Sequence, residues 1–290
     1  MKRPDELRQT VSKSYARAVE QTEAPSGGCC AGGSAPVPAG ALPILAGYSP
    51  QALAALPADA VGNSFGCGNP VALAAIRAGD TVLDLGSGAG IDLLLAAERA
   101  GTEGKVIGVD MTPAMIERAR ANAAAAGLEN VELHQGIIED LPVAPESVDL
   151  VLSNCVINLS PEKERVFAEL HRVLKAGGRI SISDIVAEPL PAWIETEGLL
   201  YSACIAGAIP ENAYLDGLRQ AGLVEVAVRD RLTYDAAQLA ALLDTDGSGS
   251  CCCGSEPLPT EQLERVTEAL AGKVASIRVV GRKPDGASEE

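Results

Sequence analysis

Apolar residues recur at four-residue spacing at Leu7, Val11, Tyr15 and Val19, which predicts an amphipathic helix over 5–20. The pattern then lapses. From Ala24 to Ala58 there is no charged residue, but there are six prolines and six glycines. That stretch reads as a loop or partly ordered arm, not as a membrane-spanning helix. Short helices are expected over 50–56 and 70–76, with a turn-rich segment, 62–70, between them. From Asp80 the pattern becomes regular. Strands are predicted over 81–85, 105–110, 131–135, 147–153 and 179–186, and helices over 91–100, 113–126 and 161–174, with Pro113 suited to a first helical turn. Strands that alternate with helices imply an α/β, Rossmann-like parallel sheet covered on both faces. Further helices are expected over 193–206, 211–221, 235–243 and 261–270, and strands over 224–228 and 274–280. The expected organisation is an N-terminal helix and arm over 1–66, a sheet core over 67–187, a segment 188–230 that ends the core sheet, and a C-terminal α+β extension over 231–290.

Composition narrows what such a chain does. Its 290 residues carry a net charge of −16, which disfavours nucleic acid and anionic membrane surfaces as partners. There are eight cysteines and only two histidines. The basic-then-acidic start lacks the apolar run of a secretory leader, so a cytoplasmic protein is expected. Thiols there stay reduced and serve metal binding, catalysis or redox chemistry more often than structural bridges. Cys29-Cys30 lies in the glycine-rich arm and Cys251-Cys252-Cys253 in a second Gly/Ser-rich segment. His134 falls mid-strand and His171 in a helix, where core or surface roles are expected over catalysis.

The sharpest motif is Asp84-Leu-Gly86-Ser87-Gly88-Ala-Gly90, between a strand and a helix. Such a turn lets backbone approach a ligand, and the helix N-terminus offers unpaired N–H groups. The dinucleotide fingerprint is G-x-G-x-x-G. Here the spacing is G-x-G-x-G, the one associated with S-adenosylmethionine. Asp110 ends the second strand, where a carboxylate can accept from both ribose hydroxyls, and Met111 follows it. Ile137 and Ile138 could pack on an adenine or belong to the core, and Glu139 or a backbone N–H could meet the adenine amino edge. Asn154 and Cys155 end the fourth strand and should face the ligand crevice. With Glu139-Asp-Leu-Pro142 and Lys175-Ala-Gly-Gly-Arg179, this set resembles class I, S-adenosylmethionine-dependent methyltransferases from about Thr81 to Val186.

The acceptor is read from what surrounds that crevice. The Asn/Asp-Pro-Pro-aromatic signature of amine methylation is absent; Ser153-Asn-Cys-Val-Ile-Asn158 stands there instead. Thiols are present: Cys155 at the strand mouth, Cys67 in a glycine-flanked turn and Cys204 beyond the fifth strand. They are too far apart in sequence for a local zinc knuckle, so only the fold could bring them together. Any one of them alone reads first as a small core residue. Thiolates select soft centres, and a soft three-coordinate centre with a lone pair is a nucleophile that needs no base.

Phe65-Gly-Cys67-Gly-Asn-Pro70, Ser153-Asn-Cys155-Val-Ile-Asn-Leu-Ser-Pro161 and Cys204-Ile-Ala-Gly-Ala208 resemble the cysteine motifs of arsenite methyltransferases. Cys29-Cys30 resembles that family's N-terminal cysteine site, and the similarity then runs from about Val11 to Lys283. The resemblance implies As(III) held by thiolates, in-line attack on the sulfonium methyl, disulfide chemistry and an external thiol reductant such as glutathione or a thioredoxin-like protein. It makes Cys155 and Cys204 arsenic ligands, places arsenic binding in 188–230 as well, and makes Cys67 either a third ligand or a redox partner of Cys29 or Cys30. The cysteine triplet either captures metalloid or is an accessory tail feature. Two alternatives stand beside this reading. One is a carbon or oxygen methyltransferase of the quinone or sterol type, with Phe65, Trp193 and Tyr201 as its few aromatic candidates. The other is a metalloid-binding protein without catalysis, against which the intact glycine loop and Asp110 argue.

Overall fold

The structure is a computed structural model and describes residues 3–22, 43–44, 46–189, 204–205, 207–243 and 260–286. Seven strands form one sheet: β1 (Thr81–Leu85), β2 (Lys105–Asp110), β3 (Val131–Gln135), β4 (Val148–Asn154), β5 (Leu174–Ala187), β6 (Val224–Thr233) and β7 (Val274–Arg282). Their order is β3-β2-β1-β4-β5-β7-β6. β1 to β5 pair in parallel, while β7 runs antiparallel between β5 and β6. β7 therefore belongs to the same sheet as the core, although it comes from the segment expected as a C-terminal extension. The order reverses at β1, with β2 on one side and β4 on the other. At that switch the carboxyl ends of the strands open a crevice.

Helices cover the sheet because its central strands are apolar on both faces. Leu83 and Leu85 of β1 and Leu150 and Leu152 of β4 are fully buried. Burying each such side chain contributes about 1.5–3 kcal/mol. The helix Ile91–Ala100 presents almost no face to water, with eight of its residues buried, and it begins at Gly90 (φ 101°) and ends at Gly101 (φ 69°). The N-terminal helix Pro4–Thr22 starts with a proline in its first turn followed by Asp5 and Glu6, both suited to a helix N-terminus. Its Val11 is buried in the cluster that also holds Cys155 and Cys204.

Most of the anticipated elements lie within a residue or two of the expected bounds, but β6 runs five residues past the expected 224–228, and three further differences stand out. The segment expected as a helix over 70–76 is only a short 3₁₀ turn, Pro70–Ala72. The Asn69 side chain caps it by accepting from Ala72 N at 3.0 Å, and Ala75 at φ 45° leaves the helical path. β5 begins five residues early, because Leu174 pairs with Val148 ahead of the glycine pair and Gly178 accepts from Lys283 N at 2.8 Å. A short helix, Ala58–Gly62, has no strong pattern in the sequence. The helix expected over 193–206 falls outside the described residues except for its end, where Cys204 has a left-handed φ of 61°. Among the described residues no helix is long and apolar enough to cross a membrane.

Candidate active site

The glycine loop forms as its spacing requires. Gly86, Gly88 and Gly90 all have positive φ, a region costly for residues with a Cβ. At Gly86 a Cβ would also overlap the side chain of Val156. The N–H groups of Gly86 and Ser87 both donate to the Val109 carbonyl, at 2.8 and 3.1 Å, which ties the loop to β2. Asp110 closes the arrangement: Oδ2 accepts from Gly88 N at 3.0 Å and Oδ1 from Thr112 N at 2.8 Å. Burial raises the Asp110 carboxyl above the usual range, and those two N–H donors work against the rise.

Above this loop lies an open cleft of about 940 Å³, counting the space at its mouth. Its walls include Asp84, Asp110, Met111, Ile138, Asn154 and Cys155. Asp84 Oδ2 and Ser87 Oγ are buried there without a hydrogen-bond partner. An orphaned buried carboxylate oxygen costs free energy unless a ligand supplies a donor or a positive charge. Asp84 is pushed well up, first by burial and then by Asp92 and Asp110 nearby. Asp92 is pushed up to about 6 by burial, while donors from Asn154 and Tyr48 restrain it. A cationic ligand would offset the cost of ionising the three acids buried around this cleft.

Two residues expected to touch the cofactor are already engaged by the protein. Glu139 Oε1 accepts from Ser160 Oγ at 2.6 Å and from Arg8 Nη2 at 3.0 Å. Arg8 also pairs with Glu162. Because Arg8, Val11 and Tyr15 line the cleft, the N-terminal helix forms one of its walls. Asn154 lines it too, but its amide bonds Gly68, Asp92 and Tyr48.

The three separated cysteines meet at the mouth of β4. Cys67 and Cys155 are joined as a disulfide across 88 residues of sequence. The Cys204 thiol donates to the Cys155 carbonyl at 2.8 Å. Cys155 and Cys204 are nearly fully buried, and both hold left-handed backbone, at φ 60° and 61°. Such conformations cost of order 1–3 kcal/mol in a residue other than glycine and concentrate at functional sites. The partner of Cys67 in this structure is therefore Cys155, whereas the resemblance offered Cys29 or Cys30 for its redox role. Cys29, Cys30 and the Cys251–Cys253 triplet lie outside the described residues.

Sequence reasoning missed Asp184, which brings a carboxylate oxygen within 4.8 Å of the Cys67 and Cys155 sulfurs. It is fully buried. Oδ1 accepts from Asn158 Nδ2 and Ile185 N, each at 2.9 Å, and Oδ2 from Tyr214 at 3.0 Å. Burial lifts its carboxyl to about 6 against those donors. The Lys163 ammonium, donating to the Asn158 and Ser160 carbonyls, is lowered by burial and partly restored by Asp184, Cys204 and Glu139. Asp92 was missed as well. Each acid is a lone charge in an apolar run, Ile91-Asp-Leu-Leu-Leu and Ile182-Ser-Asp-Ile-Val, and that was the available signal. His134 pairs with Glu132 on β3, and His171 sits on the helix Lys163–Val173; neither lines the cleft.

Residues 76–234 match a family model described as a methyltransferase domain. The chain belongs to that family, and the sheet order and glycine loop are those of its class I fold. It is 44% identical over 243 residues to an arsenite methyltransferase of Halobacterium salinarum, covering 79% of this chain and 61% of that one. It is 34% identical over 228 residues to an arsenite methyltransferase of Aquipseudomonas alcaligenes, covering 76% and 62%. The crystal structure of CrArsM, an arsenic(III) S-adenosylmethionine methyltransferase from Chlamydomonas reinhardtii, superposes with a TM-score of 0.66 at 35% identity, covering 81% of this chain and 73% of that one. The chain spans about three-fifths of the length of these two curated relatives.

Proposed function

We propose that this chain transfers the methyl group of S-adenosylmethionine to trivalent arsenic held by its thiols, a detoxifying reaction in the reducing cytoplasm. The observation that carries the reading is the meeting of Cys67, Cys155 and Cys204 beside the glycine loop, from three segments that nothing in the local sequence links.

The cleft fits the methyl donor. The cofactor supplies a positively charged sulfonium whose methyl is open to a nucleophile. Asp84 and Asp92, which line the cleft, would answer its positive charge, the positive-φ glycines of the Gly86–Gly90 loop would let it approach closely, and Asp110 would accept from the ribose hydroxyls. Ile138 and Met111 offer apolar surface to an adenine.

Arsenous acid and three thiols give a tris-thiolate arsenic and three waters, so no separate base is required to hold the acceptor. The arsenic lone pair attacks the methyl carbon in line with the sulfonium. The C–S bond breaks as the C–As bond forms, and S-adenosylhomocysteine leaves. The protein's task is orientation, which can stand in for very large effective concentrations.

Methylation raises arsenic formally from +3 to +5. Return to the trivalent state takes two electrons, which a dithiol supplies by becoming a disulfide. The Cys67–Cys155 disulfide has the composition of that oxidised form. Two equivalents of glutathione, or one of a thioredoxin-like dithiol, would restore the pair. Cys29 or Cys30 would add a further thiol to the cycle.

Incubating the full chain with arsenite, labelled S-adenosylmethionine and thiol tests this reading, with methylated arsenic as the readout. Arsenite binding without product would favour a scavenger. Failure to bind arsenite would favour a small apolar acceptor, for which the edge-to-face pair of Tyr15 and Phe65 offers aromatic surface at the cleft among the described residues; Trp193 and Tyr201 lie outside them.

A further inference from the structure

The turn that carries Cys67 is pressed into the sheet on both sides of the cysteine. A Cβ at Gly66 would overlap the side-chain amide of Asn154. One at Gly68 would come within 2.7 Å of the Ser183 Cβ. Asn154 is the residue before Cys155, and the Ser183 carbonyl accepts from Cys155 N at 2.8 Å. Both side chains against which the turn packs thus belong to residues whose backbone adjoins Cys155, Asn154 along the chain and Ser183 through a hydrogen bond. Cys67 itself is tied down where its carbonyl accepts from Ser276 Oγ at 3.1 Å.

One side chain makes most of the polar link. Asn154 Oδ1 accepts from Gly68 N at 3.2 Å and Nδ2 donates to Gly68 O at 2.7 Å. A single amide therefore engages both backbone polar groups of the residue after Cys67. Nδ2 also lies 2.9 Å from Asp92 Oδ2 and 3.0 Å from the Tyr48 hydroxyl, which donates to Asp92 Oδ1 at 2.7 Å. The helix behind the glycine loop thereby fixes the rotamer of Asn154. With Oδ1 and Nδ2 engaged in this way, the amide is poorly placed to serve a cofactor.

We propose that Asn154 is a positioning residue for the thiol pair: it clamps the Gly66–Gly68 turn to the end of β4 and so holds the sulfurs of Cys67 and Cys155 together. This deepens the reading above, on which it depends only for what the pair acts upon. The chemistry it governs is thiol exchange. The protein disulfide and two glutathione molecules give two protein thiols and one glutathione disulfide. Each protein sulfur gains one electron and one proton, and the two glutathione sulfurs lose them. A clamp raises the effective concentration of one protein thiol at the other, which favours the protein disulfide in that equilibrium.

The test equilibrates the full chain with graded glutathione and glutathione disulfide, quenches with acid, alkylates the thiols and quantifies Cys67 and Cys155 peptides by mass spectrometry. In Asn154→Ala the equilibrium constant for forming this disulfide is expected to fall about tenfold or more. Gly66→Ala, which drives a methyl group into the same amide, is expected to fall in the same direction and decides the matter if the first variant does not fold. Unchanged constants in the folded variants would overturn the proposal. Weakened S-adenosylmethionine binding with an unaltered constant would return Asn154 to the cofactor site and overturn it equally. So would a wild-type pair that stays reduced in glutathione disulfide alone. A shifted constant in a chain that does not methylate arsenite would leave the clamp standing and remove the functional reading instead.

Discussion

Arg8 of the N-terminal helix donates from Nε and Nη2 to the buried Glu139, at 3.2 and 3.0 Å, across 131 residues of sequence. The link ties the first helix of the chain to the segment after β3, where the adenine end of a cofactor would lie. Arg8→Ala would leave the Glu139 carboxylate in place with the Ser160 hydroxyl still donating to it. Loss of one member of a mostly buried, charge-assisted pair costs roughly 1.5–3 kcal/mol. The expected outcome is faster proteolysis within the first 22 residues and faster cofactor dissociation. Unaltered rates for both would mean that the helix is held by Val11 and its neighbours alone.

Asp110 is expected to bind the ribose. Hydrogen bonds to a charged group contribute about 1.5–3 kcal/mol, so Asp110→Ala should weaken S-adenosylmethionine roughly ten- to a hundredfold. Calorimetry checks this, and an unchanged affinity would contradict the ribose role. The same substitution removes the acceptor for Gly88 N and Thr112 N, so a modest fall in thermal stability accompanies it.

A pH dependence follows from Asp92, whose carboxyl is pushed up to about 6. The folded protein holds this proton more tightly than the unfolded chain does. Its contribution to stability is therefore full at low pH and is lost as pH rises from the ordinary carboxylate range through about 6. A sulfonium ligand has the opposite preference and binds the ionised form. Affinity for S-adenosylmethionine should accordingly fall as pH drops through about 6, with a smaller change for S-adenosylhomocysteine, whose sulfur is neutral. Equal pH profiles for the two ligands would contradict the pairing of Asp92 with the sulfonium charge.

The Cys67–Cys155 disulfide predicts a strict need for reductant. Oxidised protein should bind S-adenosylmethionine and fail to methylate arsenite, and added dithiol should restore turnover. Stopping the reaction after dithiol is removed should yield protein with this disulfide re-formed. Arsenite methylation by protein kept fully oxidised would exclude the pair from the arsenic site.

The core of the fold was legible because its signals are local. Thr81–Leu85 and Lys105–Asp110 are short, mostly apolar runs, Val131–Gln135 alternates apolar with polar residues, and the glycines at 86, 88 and 90 mark one turn by spacing alone. β7's place between β5 and β6 was not legible, since strand pairing over nearly 90 residues leaves no trace in either segment. The thiols were legible as candidates, but not as a cluster with a carboxylate. Asp184 looks like one acid in a strand until the fold sets it beside Cys67 and Cys155. The partners of Asn154 and Glu139 were equally hidden, because Gly68, Asp92 and Arg8 reach them from other elements.

Cys155 and Cys204 are expected to hold the arsenic. Its most direct measurement is arsenite methylation by Cys155→Ser and Cys204→Ser, with S-adenosylmethionine affinity measured on the same preparations. Loss of methylated arsenic in both variants, with cofactor affinity kept within about twofold, is the predicted result. Full methylation by either variant would contradict it.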